Sequence, residues 1–306
     1  MAERVLVTGA TGYVGRHVCA RAARAGWILR ALVRPGSDRR SIETNATEYH
    51  VGCVTDPASL QGACEGCQAV IHLVGIIHEG ADSFEKIHVE GTRNTVAEAR
   101  RAGVRRFVLL SGLGSRPEAP ARYHRTKAEA ERTVRESGME AYVFPASVIF
   151  GPEDAFLNRF LAMARSWFHP PWPLMPVPGG GQGYLQPVGV DDVAEVLVRA
   201  LDRDPPFPPG TYELGGPDAL RLREIVELAC RAAPSRRLLV PVPLFLLQPM
   251  AWLFEQTMSK PPLTRDQLRM LGEDGRPKAN RTADWLGRPP ERLADYLARR
   301  AFPRGR

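Results

Sequence analysis

Tyr123 stands four residues before Lys127 in Tyr123-His-Arg-Thr-Lys127, within a stretch from Pro120 to Ser137 that has the spacing of an amphipathic helix. Residues four apart share a helix face. An ammonium beside a phenol lowers the phenol pKa from its usual ~10, so such a tyrosine can exchange a proton with a carbonyl or alcohol near neutral pH. Ser111 directly follows an apolar run that ends at Leu110, and a hydroxyl there could hydrogen-bond the same substrate oxygen. The plainer alternative is a Tyr and a Lys on a solvated helix face. The scarcity of lysine weighs against it, because Lys occurs only at positions 86, 127, 260 and 278.

A second set lies at the start of the chain. In Thr8-Gly9-Ala10-Thr11-Gly12-Tyr13-Val14-Gly15 three glycines leave a β-branched run, Arg4–Thr8, and open an amphipathic stretch, Gly12–Ala25. Small residues there permit a tight turn, contact between backbone and pyrophosphate, and close packing of helix on strand. The helix N-terminus adds N–H groups and a favourable dipole for phosphate. Gly9, Thr11, Gly12, Tyr13, Val14 and Gly15 are therefore the expected cradle for NADP(H) or NAD(H). The next strand ends Ala31-Leu32-Val33-Arg34, with no acid at its tip. An acid there would hold a ribose 2′-hydroxyl and an Arg a 2′-phosphate, so Arg34 favours NADP(H), with NAD(H) as the alternative. Asp56 could accept from the adenine amino group, although Asp-Pro-Ala-Ser also reads as a helix cap.

These residues need a scaffold, and the first 150 residues supply its rhythm. Runs at Arg4–Thr8, Ile28–Val33, Glu48–Val51, Ala69–Val74, Arg106–Leu110 and Ala141–Pro145 are mostly apolar without alternation, as strands covered by helices on both faces should be. Helical stretches fall between them at Gly12–Ala25, Pro57–Cys64, Phe84–Ala102 and Pro120–Ser137. The expected fold is α/β, a Rossmann-type doubly wound parallel sheet with a smaller C-terminal substrate region. Residues 1–306 then form one unit, with 1–150 the core of the nucleotide region. Residues 151–306 are mainly a substrate or partner region, from which 185–201 returns to the core.

Beyond Gly151, a Pro- and Gly-crowded stretch, His169–Gly181, reads as a long loop beside a site. Trp167, His169 and Trp172 lie where substrate choice would be made. Pro178-Gly-Gly-Gly-Gln182 is expected to be a flexible turn, with a phosphate cradle as the alternative. Leu185–Val188 and Thr211–Leu214 read as strands, Asp191–Leu201 and Leu220–Ala232 as helices, and the C-terminal end as polar helices. The apolar segment Leu238–Phe254 is broken by Pro241, Pro243 and Pro249 and is too short to span a bilayer. Its Leu244–Phe254 part is expected to pack into the core of the substrate region. The alternative is an apolar face for a membrane-associated partner, flanked by Arg236, Arg237 and Lys260.

Composition narrows the function classes. With 44% hydrophobic and 25% charged residues the chain is an ordinary globular protein, neither disordered nor fibrous. The net charge of +7 comes from arginines scattered along the chain rather than gathered in a block, which argues against nucleic acid. Five cysteines, odd in number, suit a reducing compartment. Cys64-Glu-Gly-Cys67 is a lone pair without a second ligand pair, and no metal is expected. The apolar run reached by Val5 leaves no room for a secretory signal, so the expectation is a cytoplasmic chain without a transmembrane span.

The glycine loop, Ser111 and Tyr123-xxx-Lys127, in this order, resemble the short-chain dehydrogenase/reductase superfamily, including its epimerase/dehydratase-like members, over essentially the whole chain. Ile71-His-Leu-Val-Gly-Ile, Ile87-His-Val-Glu-Gly-Thr-Arg-Asn94, Tyr123-His-Arg-Thr-Lys-Ala-Glu, Ser147-Val-Ile-Phe-Gly-Pro152 and Gln186-Pro-Val-Gly-Val-Asp-Asp-Val193 narrow the resemblance. They are similar to an atypical branch related to the NADPH-binding accessory subunit of respiratory complex I. The resemblance implies that the backbone near Val74 and Gly75 joins the nucleotide site and that Lys127 holds the nicotinamide ribose. It likewise implies Tyr123 as acid/base with Ser111 as helper. Two departures bear on it. Active relatives often carry Asn-Val-x-Gly-Thr where this chain has His88-Val-Glu-Gly-Thr, and Arg-Pro where it has Pro145-Ala146. His88 either relays protons itself or packs. Two functions follow from the resemblance. One is an NADP(H)-dependent oxidoreductase or epimerase/dehydratase-like enzyme acting on a small hydroxyl or carbonyl substrate. The other is a cofactor-holding subunit or assembly factor of respiratory complex I, peripheral at the inner face of the membrane, with the other complex subunits as partners.

Overall fold

A computed structural model describes residues 3–165, 174–233, 237–258 and 261–300. Trp167, His169, Trp172, Arg236 and Lys260 lie outside the described residues.

The apolar runs become strands β1 (Arg4–Thr8), β2 (Ile28–Val33), β3 (Glu48–Val51), β4 (Ala69–His72), β5 (Arg106–Gly112) and β6 (Glu140–Ala146). Helices α1 (Tyr13–Arg24), α2 (Gly91–Arg101) and α3 (Arg122–Arg135) connect them. All pairings in the central sheet are parallel, in the order β3-β2-β1-β4-β5-β6, and a short strand at Gly210–Thr211 extends the β6 edge to make seven. The order reverses between β1 and β4. In open α/β sheets ligands bind at such a reversal, beyond the carboxyl ends of the strands. The Rossmann-type sheet expected from the sequence is the one found.

Both sheet faces are buried, which explains the unbroken apolar runs. One face packs Val5, Val7, Ala31 and Val108 with Val18 and Ala22 of α1 and the distant Trp285. The other packs Leu6, Val70, Phe107 and Leu109 with Val96 and Val134 of α2 and α3.

Several local expectations change. The stretch Pro57–Cys64 holds only a 3₁₀ turn at Ala58–Leu60, followed by Gly62 at φ +81° and Gly66 at φ +70°. Two left-handed glycines so close together end any helix. The helix expected from Phe84 opens instead as a π turn over Glu85–Glu90 and becomes α-helical only at Gly91. Such turns concentrate at functional sites, and this one carries His88. Arg4–Thr8 keeps its bounds, but β4 ends at His72 and so releases Leu73 to Gly75 as a loop.

The later elements are β7 (Ile149–Phe150), α4 (Leu157–Arg165), β8 (Leu174–Pro178), β9 (Tyr184–Leu185), β10 (Val188–Gly189), α5 (Val190–Arg199), β11 (Gly210–Thr211), β12 (Leu220–Arg221), α6 (Leu222–Arg231), β13 (Leu238–Val242), α7 (Leu244–Thr257), α8 (Arg265–Met270), α9 (Thr282–Leu286) and α10 (Leu293–Arg300). The single strand expected at Leu185–Val188 is two: β9 pairs antiparallel with β12, and β10 pairs parallel with β7. Pro187, which has no N–H to donate, separates them. The long loop expected at His169–Gly181 contains β8, paired in parallel with β13. The strand expected at Thr211–Leu214 is β11 plus a bridge from Leu214 to Ala146. Pro178-Gly-Gly-Gly is a turn with φ of +61°, +66° and +69°, and a Cβ on Gly181 would stand 2.6 Å from the Arg223 nitrogen. The turn thus packs its glycines against the protein's own chain. α5 and α9 both bury side chains in the β1 face of the sheet.

The largest correction concerns α7. It joins a small core only along one stripe, where Leu247 and Ala251 pack with Leu268, whereas Phe245 is 70% exposed, Leu246 56%, Trp252 50% and Leu253 51%. No helix among the described residues is long and apolar enough to cross a membrane.

Candidate functional site

The glycine loop turns immediately after β1. Gly9 has φ +72°, a conformation costly for a residue with a Cβ, and the Gly12 N–H donates to its carbonyl at 3.0 Å. A Cβ on Gly15 would lie 2.1 Å from the Gly9 oxygen, so the helix approaches the loop as closely as backbone allows. The first turn of a helix leaves its N–H groups without intrahelical partners. Here they belong to Tyr13, Val14 and Gly15, beside half-buried Thr11 and exposed Gly12. Backbone donors, helix dipole and missing side chains fit a pyrophosphate. Tyr13 itself turns away, with its ring edge-on to His17 and its hydroxyl buried against Gly151. That burial pushes the Tyr13 phenol well above its ordinary range.

Arg34 follows β2 and is exposed, available to an anion from solvent. Arg39 nearby lies over the Tyr49 ring at 5.2 Å. Asp56 is exposed, and its Oδ1 accepts from the Ala58 N–H at 3.1 Å. It therefore caps the 3₁₀ turn, and its second oxygen is the one left for a ligand. Val74 and Gly75 follow β4, and a Cβ on Gly75 would stand 3.2 Å from Lys127 Nζ and 3.6 Å from His88 Nε2. The nucleotide loop and the Tyr-Lys helix thus meet across Gly75.

Around Tyr123 the polar groups are bonded to the protein itself. Lys127 is buried and donates to the Leu110 carbonyl at 3.2 Å. Burial brings its pKa down to about 8, partly offset by Glu131. Burial and then Glu131 push the Tyr123 phenol up to about 12, the reverse of the shift a proton-transferring tyrosine needs. Alternation along β5 places Ser111 with Phe107 and Leu109 on the face covered by α3. There its hydroxyl donates to Glu131 Oε1 at 2.6 Å, and Glu131 Oε2 is held by Arg135 at 3.0 Å. The geometry does not bring Ser111 onto Tyr123. Gly112 occupies that place, and a Cβ on it would stand 2.9 Å from the Tyr123 hydroxyl.

His88 sits between these parts. Its Nε2 accepts from the Ile76 N–H at 3.0 Å, so its proton is on Nδ1, which donates to Thr126 Oγ1 at 2.9 Å. Thr126 can then donate onward to the Tyr123 carbonyl at 3.0 Å. The ring stacks on Phe84 at 5.4 Å and meets Tyr123 edge-on at 5.4 Å. Burial, with Lys127 nearby, holds its pKa down to about 2. Of the two roles open to it, the bonding favours bracing the loop at Ile76 against α3. Behind it, buried His72 bridges Thr8 Oγ1 at 2.8 Å and Thr92 Oγ1 at 3.2 Å, and burial holds it down to about 3.

One positioning residue has no signal in the sequence. Asp266 of α8 accepts from the N–H groups of Arg122 at 2.8 Å and Tyr123 at 3.0 Å, capping α3 from 144 and 143 residues away. A carboxylate at a helix N-terminus satisfies orphan donors and complements the dipole. A cleft of about 530 Å³ opens beside it, lined by His78, Phe84, Arg122, Met258, Asp266 and Arg269 among others.

Cys64 and Cys67 are both buried, with their thiols pushed up first by desolvation. Buried, undissociated thiols are poor nucleophiles and poor ligands.

The chain resembles known proteins in sequence and shape. The subunit named "NADH dehydrogenase [ubiquinone] 1 alpha subcomplex subunit 9, mitochondrial" of Arabidopsis thaliana is 31% identical over 229 residues, 72% of this chain and 56% of that protein. A ceramide reductase of Caulobacter vibrioides is 33% identical over 175 residues, 56% of this chain and 53% of that one. The chain thus spans little more than half the length of either relative. The crystal structure of gox2253 superposes with a TM-score of 0.74 at 28% identity, covering 96% of both chains. Residues 5–215, which hold the whole glycine loop, Tyr123 and Lys127, match the NAD dependent epimerase/dehydratase family, and the chain belongs to that NAD(P)-binding family.

Proposed function

We propose that this chain holds NADP(H) as a structural ligand and serves as a peripheral subunit or assembly factor of respiratory complex I, at the inner, cytoplasmic face of the membrane. The observation that carries the reading is that the polar groups around Tyr123 are bonded within the protein. Ser111 is on Glu131, Lys127 on the Leu110 carbonyl, and both nitrogens of His88 on Ile76 and Thr126. The name of the Arabidopsis relative supports the choice of partner. In this reading the backbone of Gly9, Thr11, Gly12, Tyr13, Val14 and Gly15 binds the pyrophosphate, and Arg34 a 2′-phosphate. Asp56 takes the adenine amino group, the backbone at Val74 and Gly75 lines the nicotinamide side, and Lys127 reaches the nicotinamide ribose. NAD(H) would bind the same cradle without the Arg34 contact. When bound, the nucleotide could supply a hydride; the protein's own residues here bind it, exclude water and fix its orientation.

A second reading is an NADP(H)-dependent reductase or epimerase/dehydratase-like enzyme acting on a small hydroxyl or carbonyl compound. Tyr123 and Lys127 on one helix face, beside the cleft at Phe84, favour it, as does the name of the Caulobacter relative. Tyr123 would move the proton and Lys127 would orient the ribose. Replacing Tyr123 by Phe separates the readings. With NADPH at 100 times its dissociation constant, about 2.7 kcal/mol of stabilisation is expected in the parent and in Tyr123→Phe alike, together with unchanged copurification with complex subunits. A carbonyl compound reduced by the parent and not by Tyr123→Phe would establish the second reading instead.

A further inference from the structure

The most unusual surface of the molecule is α7. A helix apolar on all sides is ordinarily buried in a core or in lipid. This one is held by a single narrow stripe, Leu247 and Ala251, against Leu268 of α8. Leu244, Phe254 and Glu255 are half-buried, and Phe245 70%, Leu246 56%, Met250 40%, Trp252 50% and Leu253 51% are exposed, continued by Met258 at 46%. Its one charged residue, Glu255, is neutralised by Arg265 at 2.7 Å. At ~1.5 Å per residue, fourteen residues make about 21 Å, short of the ~30 Å hydrocarbon core, so the helix can lie in a bilayer surface but not cross it.

The basic residues near this patch are tied to neighbours: Arg237 precedes β13 and donates to the Ala164 carbonyl, Arg159 donates to the Pro262 carbonyl, Arg265 pairs with Glu255, and Arg269 pairs with Asp266 at 3.6 Å. The chain as a whole carries a net charge of +7, which attracts it to an anionic surface. From Leu238 to Thr264 the sequence carries only Glu255 and Lys260 as charged residues. An aromatic and aliphatic face on a chain of net positive charge complements an anionic lipid surface. Trp and Phe favour the interfacial depth, and basic residues meet the headgroups.

We propose that α7 is a membrane-docking helix that lies in the interfacial layer of a bilayer containing anionic phospholipid, with Phe245, Leu246, Trp252 and Leu253 inserted. This rests on the peripheral-membrane reading above and names its element and its lipid chemistry. Phe245, Leu246, Trp252 and Leu253 take no part in the glycine loop or the Tyr123 cluster, whereas Glu255 and Met258 line the cleft beside Phe84.

The test uses the full chain with vesicles and no other protein. Vesicles of phosphatidylcholine alone are compared with vesicles that also contain phosphatidylglycerol, by cosedimentation and by Trp252 emission isolated as the difference from Trp252→Phe. The parent should cosediment with the anionic vesicles, shift its Trp252 emission to the blue, and dissociate partly at high salt. Phe245→Glu/Leu253→Glu changes two exposed side chains and should bind roughly tenfold or more weakly, a loss of about 1.4 kcal/mol, with unchanged circular dichroism and NADPH affinity. A parent chain that stays in the supernatant, or a double variant that binds as well as the parent, overturns the proposal. A chain that ignores vesicles but still copurifies with complex subunits overturns lipid docking while leaving the partner reading intact. A self-association abolished by the double variant would assign the face to a second copy.

Discussion

Acid should destabilise this protein through two histidines, and the size of the effect can be worked out. His72 and His88 are buried and neutral, with pKa values held down to about 3 and about 2. In the unfolded chain both return to ~6.5. Between these limits the unfolded chain binds protons that the folded one cannot, so stability is full above ~6.5 and falls as pH drops toward the folded values. At pH 5, ~1.5 units below the unfolded value, each histidine costs about 2 kcal/mol and the pair about 4 kcal/mol, at ~1.36 kcal/mol per unit. Other groups titrate in the same range, so the informative quantity is a difference between chains. His72→Gln can still offer a donor and an acceptor toward Thr8 and Thr92 but carries no titrating group. Urea unfolding followed by tryptophan fluorescence at pH 7 and pH 5 should show the variant losing about 2 kcal/mol less than the parent over that interval. Equal losses would mean that His72 is already protonated or accessible in the folded state, and the reasoning about the bonded cluster would fail.

Other perturbations probe the remaining parts. Gly15→Ala puts a Cβ 2.1 Å from the Gly9 oxygen, backbone that cannot yield without opening the loop. Overpacking of this kind costs about 1–3 kcal/mol, and calorimetry should find NADPH affinity weakened about tenfold or more. Arg34→Ala should reduce NADPH affinity by about 1.5–3 kcal/mol, the range for hydrogen bonds to charged groups, while NADH affinity stays put; equal losses for both would remove Arg34 from the 2′-phosphate site. Asp266→Ala frees two N–H groups at the start of α3. A loss of about 1–3 kcal/mol in stability is expected, together with a change in the near-ultraviolet dichroism of Tyr123; Asp266→Asn should restore part of both.

Much of the scaffold was legible because parallel strands buried on both faces read as apolar runs, and β1, β2 and β3 fall on the bounds the sequence suggests. The glycine loop was legible for the same kind of reason: only small residues permit the approach of Gly15 to Gly9. What escaped depends on contacts distant in sequence or on which side of an element is covered. The π turn at Glu85–Glu90 carries a pattern that helical periodicity does not distinguish from an α-helix. Asp266 caps α3 from another part of the chain. The four-residue spacing puts Tyr123 and Lys127 on one helix, α3, but the hydroxyl of Ser111 is turned by strand alternation onto Glu131. The composition of α7 was plain, yet composition does not say whether a core or a solvent-facing surface receives such a helix. β8 and β13 pair despite the prolines at positions 176, 178 and 241, which no strand pattern would have suggested.

The central claim is that the nucleotide is held rather than turned over. Purification of the chain from its native host under mild conditions, with identification of the bound nucleotide and the accompanying proteins, tests it most directly. The account predicts NADPH in near-equal ratio to protein, its 340 nm absorbance unchanged on addition of carbonyl compounds and quinones, in fractions that also contain complex I subunits. A soluble monomer that releases its nucleotide readily and oxidises NADPH with one of those compounds would contradict it.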